Sequence, residues 1–246
     1  MTFADHFSTI AKNYAAYRPT YPPALVDALA DRSPPGTAWD VGCGNGQLSV
    51  ALAERFERVF ASDPSREQIE AAVQHSSVEY SVASAEDSGL PASSMSLVVA
   101  AQAAHWFIWD AFVAEVERVA RPGALIALAS YGILGVEGDD ANALVARYYH
   151  DDVGPYWPAG REHVENGYRD LRMPWPAVEA PAIEMTARWT REELLGYVST
   201  WSATVKLVRT TGDAAVRALH ETLANVWPDG EARTIRWPLA IRLARR

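Results

Sequence analysis

Apolar residues recur every three or four positions near the start of the chain, at Phe3, Phe7, Ile10, Tyr14 and Tyr17, which is the spacing of one helical face. A second helix is expected to begin at Pro22 or Pro23, since proline is tolerated in a first helical turn, and to run through Leu25, Val26 and Leu29. Ser33-Pro34-Pro35-Gly36 ends it. From there short apolar runs alternate with helical stretches: strand 37–41, helix 47–55, strand 58–62, helix 65–74, strand 78–83, strand 96–101, helix 109–119 and strand 125–130. Repeated strand-helix units imply a parallel sheet with helices on both faces.

After Tyr131 the rhythm breaks. Residues 133–178 predict two helices, 140–149 and 161–171, among prolines and aromatics, and no strand. Alternation returns at Ile183, Met185, Ala187 and Trp189, and again at Ile235, Trp237, Leu239, Ile241 and Leu243. Period two means strands, so a closing strand pair is expected, with helices 191–200 and 213–226 around it. The plan is a single α/β domain over 1–246: helices in 1–35, a ligand-binding core in 36–131, a helical cap inserted at 132–178, and closing strands and helices in 179–246.

The 246 residues are 49% hydrophobic and 22% charged, which suits a full globular core and argues against disorder or coiled coil. A net charge of −9 works against a surface that tracks phosphates, so no nucleic-acid partner is expected. The one cysteine, Cys43, allows no internal disulfide and no multi-cysteine zinc cluster, in keeping with a reducing compartment. The start of the chain lacks the basic head and apolar run of a signal peptide, and no apolar stretch is long enough for a membrane span. A cytoplasmic protein without membrane attachment is the expectation. The six histidines are scattered without ligand spacing, so no metal is expected.

The chemistry concentrates in Asp40-Val41-Gly42-Cys43-Gly44-Asn45-Gly46-Gln47, directly after the first strand and before the next helix. Glycines there let the backbone turn with positive φ and approach a ligand at the carboxyl edge of the sheet. Three at alternate positions, led by an acid, exceed what a tight turn needs. A dinucleotide is the rival ligand, with the fingerprint G-x-G-x-x-G. This loop reads G-x-G-x-G, and Asp40 would face a bound diphosphate, whereas a cation suits that acid. Asp63, at the end of the second strand, can accept hydrogen bonds from both hydroxyls of a ribose; alternatively, Asp63-Pro64-Ser65 is a capped helix start.

Over residues 1–130 these features resemble the class I S-adenosylmethionine-dependent methyltransferases, specifically the small-molecule group around trans-aconitate methyltransferase. The resemblance implies a doubly wound, Rossmann-like, seven-stranded and mostly parallel sheet with a late antiparallel strand, an N-terminal helical lid and a helical insertion before the last two strands. It implies that Asp40, Gly42, Gly44 and Gly46 touch the methionine part of S-adenosylmethionine, that Asp63 and Pro64 hold the ribose, and that Ser84-Ala85-Glu86-Asp87 borders the adenine. The segment Asp63-Pro64-Ser65-Arg66-Glu67-Gln68 matches D-x-S-x-x-M, with Gln68 in the methionine slot. The stretch from Tyr14 through Arg18-Pro19 to Tyr21-Pro22 resembles the lid, and Gln102-Ala103-Ala104-His105-Trp106-Phe107 resembles the loop after strand four. Ser84 stands where an aspartate is common and Ser96 where strand four usually opens with one, which leaves backbone recognition of adenine by Ala85 and Glu86. An N-P-P-Y sequence of the base-amine methyltransferases is missing after strand four, a second count against nucleic acid.

A sulfonium is already an activated leaving group, so the protein needs mainly to align a nucleophile with the methyl group. A carboxylate acceptor needs no base; a hydroxyl, amine or carbon acceptor would be helped by one. His105 is the candidate catalytic group, with a structural histidine as the alternative. His105, Trp106 and Tyr131 are candidate substrate contacts, and Gln102 a candidate cofactor contact. Tyr14 and Arg18, at i and i+4, share a face if the helix extends that far, and are candidate cofactor contacts that reach the methionine carboxylate or a substrate anion; ordinary core for Tyr14 and surface for Arg18 are the alternatives. The aromatics Tyr156, Trp157, Tyr168 and Trp175 suit either the wall of an apolar pocket or a cap with its own small core, and Arg147, Arg161 and Arg172 are available to a substrate anion. A small-molecule methyltransferase is thus the leading reading, with S-adenosylhomocysteine as its product; a noncatalytic S-adenosylmethionine-binding module and a nucleotide-dependent oxidoreductase are the alternatives.

Overall fold

The computed structural model describes residues 17–246, so Tyr14 and nearly all of the first expected helix lie outside the described residues. The chain divides into two compact units. The first, residues 20–132, 162–184 and 239–246, holds α1 (Pro23–Arg32), β1 (Thr37–Val41), α2 (Gln47–Ala53), β2 (Arg58–Asp63), α3 (Arg66–Glu70), β3 (Val78–Val82), β4 (Met95–Ala101), α4 (Trp109–Val119) and β5 (Ala120–Tyr131). Its sheet runs β3-β2-β1-β4-β5, all parallel, and is extended by β10 (Leu239–Arg245), antiparallel to β5, and then by β7 (Ala177–Val178). This is the expected seven-stranded, mostly parallel sheet with one late antiparallel strand.

Consecutive strand residues feed opposite faces of this sheet. Trp39, Val98, Ile126 and Leu128 pack with Phe112, Val116 and Val119 of α4 on one side. Ala38, Leu97, Val99, Leu125 and Ala127 pack with Leu25, Val26 and Leu29 of α1 and Leu48 and Leu52 of α2 on the other. Helices cover both faces, which is why these strands read as continuous apolar runs. In α4 the buried residues Phe112, Val116 and Val119 recur at helical spacing, and Glu115 is the one acid among them.

The second unit, residues 133–161 and 185–238 with the segment up to Pro19, has a three-stranded antiparallel sheet in the order β6 (Gly135–Val136), β9 (Arg233–Trp237), β8 (Met185–Trp189). Around it stand α5 (Asp139–Arg147), α7 (Arg191–Ser199), α8 (Ser202–Thr211) and α9 (Ala214–Ala224). Thr190 and Glu193 form a reciprocal capping box at the start of α7. Tyr149, Trp157, Tyr197, Trp201 and Trp237 make a chain of ring contacts with centroids 5.0–5.9 Å apart.

The expected closing pair is corrected here. The alternating run from Ile235 to Leu243 breaks at Pro238, which has no N–H to donate to a ladder, and its halves enter different sheets. β8 does not join the main sheet, and the 133–178 segment, read as strandless, supplies β6 and β7. The expected helix 161–171 stops as α6 (Arg161–Glu165), because Gly167 turns at φ 69° with Ala240 so close that an added Cβ would lie 2.7 Å away. The expected helix 65–74 shortens to α3. α8 went unread: Thr204, Val205, Val208, Thr210 and Thr211 lower its helix propensity, and burial of Ala203, Thr204 and Leu207 supplies the compensation.

Candidate functional site

The strand order reverses between β1 and β4, and ligands of open α/β sheets bind beyond the carboxyl ends of the strands at such a switch point. The glycine loop leaves β1 there. The N–H groups of Gly42 and Cys43 both donate to Ser62 O, at 2.8 and 3.0 Å, which ties the loop to β2. Gly42 sits at φ 70°, where an added Cβ would lie 2.5 Å from Ala103 Cβ and 3.4 Å from the Phe107 ring. No side chain fits, so the glycine loop and the 102–107 loop after β4 lie directly against one another. Gly44 differs: the one atom of the described residues beyond its chain neighbours within 4 Å of its missing Cβ is Gln68 Oε1, at 3.8 Å. Gly46 starts α2 and lies under the Tyr80 ring.

Asp40 is 1% exposed, and its carboxylate accepts from Ser49 Oγ at 2.6 Å. Burial pushes its carboxyl up to about 7; the Ser49 bond opposes that rise and the charge of Asp63 adds to it. Burial and the charges of Asp40 and Asp63 likewise push the Cys43 thiol up, so Cys43 is no ready nucleophile. Asp63 is partly exposed and links two turns: Oδ2 accepts from Gly44 N at 2.9 Å and Oδ1 from Ser65 N at 2.9 Å. The cap of α3 is Ser65, whose Oγ accepts from Gln68 N at 3.3 Å, so the reading of Asp63 as the helix cap is set aside. Pro64 is exposed beside it.

Beyond β3, Ala85 is 5% exposed, and Glu86 accepts the Ile108 N–H at 2.8 Å. Gln102, at φ 56°, spends its side-chain amide on the backbone of Tyr131: Nε2 donates to Tyr131 O at 3.0 Å and Oε1 accepts from Tyr131 N at 3.3 Å. Tyr131 is 6% exposed and meets Tyr21 edge-on. His105 and Trp106 stand on the 3-10 turn Ala104–Trp106, with ring centroids 4.8 Å apart, and Trp106 is 63% exposed. Sequence reasoning missed the partner of His105: Nδ1 lies 3.0 Å from the hydroxyl of Tyr168. The readable signal was Asn166-Gly167, a stop that places Tyr168 in a turn instead of a helix.

Arg18 belongs to the second unit, where Nη2 donates to Thr200 O at 3.2 Å and the guanidinium lies 5.9 Å from the Tyr197 ring. Arg161 stacks on Trp157 at 4.4 Å and donates to Tyr149 Oη at 2.8 Å. The expected aromatic cap is therefore divided: Trp157 is in this cluster, while Tyr168 and Trp175 join the core of the parallel sheet. No group of three or more His, Cys, Asp or Glu among the described residues is arranged to hold a metal ion. No helix among them is long and apolar enough to cross a membrane.

Gly44 of the glycine loop, the partly exposed Asp63 carboxylate and buried Ala85 follow the ends of β1, β2 and β3 in turn. The methyltransferase domain family matches residues 39–128, which run from β1 into β5. A protein of Dictyostelium discoideum that carries the methyltransferase name is 31% identical over 240 residues, covering 95% of this chain and 91% of its own. A methyltransferase of Mycobacterium tuberculosis, described as uncharacterized, is 30% identical over 89% of this chain and 88% of its own. A solved structure described as a type II methyltransferase from Anaeromyxobacter dehalogenans has 46% identity and a TM-score of 0.86, covering 93% of this chain and 97% of that one. With this sheet order and relatives matched along nearly their whole length, the chain belongs to the class I S-adenosylmethionine-dependent methyltransferases.

Proposed function

We propose that this methyltransferase acts on a small molecule bearing an oxygen nucleophile, with a carboxylate as first choice, in the cytoplasm and without metal or nucleic acid. The observation that carries the acceptor site is the contact of Gly42 with Ala103 and Phe107, which sets the His105 loop beside the glycine loop. S-adenosylmethionine, when bound, supplies an electrophilic methyl group on sulfur. Asp40 and the glycine loop would hold its cationic tail, Asp63 its ribose, and Ala85 and Glu86 its purine edge. An ionised oxygen brings its own electron pair to the new O–C bond while the C–S pair returns to sulfur, so no protein group need take a proton. His105 then positions the acceptor. The net charge of −9 supports a target other than nucleic acid.

Incubation with labelled cofactor and separate pools of organic acids, phenols and RNA tests this reading, and label in RNA alone would sink it. S-adenosylhomocysteine at about 100 times its dissociation constant is expected to add roughly 2.7 kcal/mol, a rise of several degrees in Tm, whereas NAD adds none. For Asp63→Asn, the loss of charge-assisted bonds to the ribose should weaken S-adenosylhomocysteine by roughly 10–100-fold. Apo stability should fall too, because an amide cannot accept both backbone N–H groups that the carboxylate now holds. Unchanged affinity would remove Asp63 from the site.

A further inference from the structure

The third glycine of the loop faces a side chain of its own unit. Gly46 stands at φ 82°, a conformation that asparagine tolerates as well as glycine, so the backbone alone does not demand glycine there. The demand comes from Tyr80, whose hydroxyl occupies the place of a side chain at position 46: an added Cβ would fall on that oxygen and lie 2.8 Å from two carbons of the ring. Tyr80 pairs with Ala61 from β3, the edge strand of the parallel sheet. Packing on an edge strand accounts for a ring laid over Gly46. It does not account for where the hydroxyl goes. Tyr80 Oη donates to Val73 O at 2.8 Å, and Val73 N donates in turn to Asn45 O at 3.2 Å, so two bonds carry the position of the phenol through the turn after α3 into the glycine loop.

The Asn45-Gly46 peptide is thereby held on both sides. Its carbonyl accepts from Val73, and its N–H donates to Cys43 O at 3.0 Å. Gly42 and Cys43 are already tied to Ser62 O and Gly44 N to Asp63, so fixing this last peptide leaves the loop in one shape. A loop set before its ligand arrives loses less conformational freedom on binding, and affinity rises accordingly. Burial pushes the Tyr80 phenol up to about 12, which keeps it a donor at any working pH. We infer that Tyr80 is a positioning residue for the cofactor: its ring and hydroxyl set the Asn45-Gly46 turn, and the third glycine is there to admit that phenol, not to touch the ligand. The inference rests on the methyltransferase reading of the site, and it takes Gly46 out of the set that the resemblance places against the methionine part.

Calorimetric titration of S-adenosylhomocysteine into the parent, Tyr80→Phe, Tyr80→Ala, Gly46→Ala and the double variant of the last two tests this, with Tm measured on each. Tyr80→Phe keeps the ring and drops the bond to Val73, so affinity should fall about 3–10-fold, the worth of one hydrogen bond. A methyl added at position 46 drives the phenol from its place, so Gly46→Ala and Tyr80→Ala should each weaken binding on the order of 10-fold, and the double variant should bind about as the weaker single variant does, since both remove the same strut. The left-handed strain of alanine at 46 is common to both arms of the cycle and cancels. Losses that multiply in the double variant mean that Gly46 meets the ligand itself, and they overturn the inference. So does Tyr80→Phe with a lowered Tm and unchanged affinity, the mark of a purely structural tyrosine. Should Gly46→Ala alone not fold, a double variant that folds and binds supports the inference and one that stays unfolded overturns it. A parent protein that shows neither heat nor thermal shift with S-adenosylhomocysteine counts instead against the cofactor reading, so the two failures are distinguishable.

Discussion

Glu115→Ala should cost about 3–5 kcal/mol, the usual penalty for removing one partner of a buried ion pair, and lower Tm by on the order of 10 °C. The side chain is 7% exposed on the inner face of α4. Oε1 accepts from Ser88 N at 2.9 Å, Ser88 Oγ at 2.5 Å and Arg118 Nη2 at 2.6 Å, and Oε2 accepts from Arg118 Nε at 2.7 Å. Arg118 also donates to Leu90 O at 2.7 Å, so one ion pair fastens the 84–90 loop, with Ala85 and Glu86, to α4. The Arg118 hydrogen bond, followed by the Ser88 bonds, holds the Glu115 carboxyl down at about 2 against its ordinary 4.5. A folded value below the unfolded one means stabilisation that is complete above about 4.5 and lost as the pH falls toward about 2. With Arg118 partly exposed, that pH-dependent share is roughly 2–3 kcal/mol. Denaturant unfolding at pH 7 and pH 2.5 should show the gap between parent and variant narrowing at the lower pH. An equal gap at both would show that packing, and not charge, is what Glu115 contributes.

The parallel half of the molecule was legible because its strands and helices repeat one grammar. The bounds of β1 and α4 are those read from periodicity, and the glycine loop and Asp63 were placed at the carboxyl ends of the first two strands, where they stand. After Tyr131 legibility falls for a physical reason: period two says that a segment is a strand but not which sheet it pairs with. One proline therefore sends Trp237 and Leu239 to different sheets although their pattern is continuous. The same holds at the site. Asp40, Gly42, Gly44 and Asp63 are local in sequence and were found together, whereas the Tyr168 hydroxyl reaches His105 through a turn whose position depends on Gly167, Ala240 and Arg242 from two distant segments. Gln102 was read from the sequence as a cofactor contact, whereas its amide extends the β4 to β5 ladder by gripping the backbone of Tyr131.

Asp40→Asn is expected to stabilise the apoprotein at pH 8 and weaken its hold on the cofactor. The Asp40 carboxyl lies in the core, 1% exposed, and titrates near 7 because burial disfavours its charge, with Asp63 adding to that and Ser49 only partly offsetting it. The folded value exceeds the ordinary 3.8, so the native state binds more protons than the unfolded one between about 4 and 7, and stability from this group falls as pH rises through that window. Three units correspond to roughly 4 kcal/mol. Asparagine keeps the bond from Ser49 and carries no charge, so the variant should recover on the order of 2–4 kcal/mol at pH 8 and almost nothing at pH 4. On the proposed function, a cationic amino-acid tail on the glycine loop would offset that cost by stabilising the charged form. Binding must then release a proton near pH 7, and S-adenosylhomocysteine should bind roughly 10-fold more tightly at pH 8 than at pH 6. Titration calorimetry in two buffers of different ionisation enthalpy measures the released proton. In Asp40→Asn both the proton release and the pH dependence should vanish along with the added affinity. A variant that binds as the parent does at both pH values would mean that Asp40 serves the loop's geometry alone.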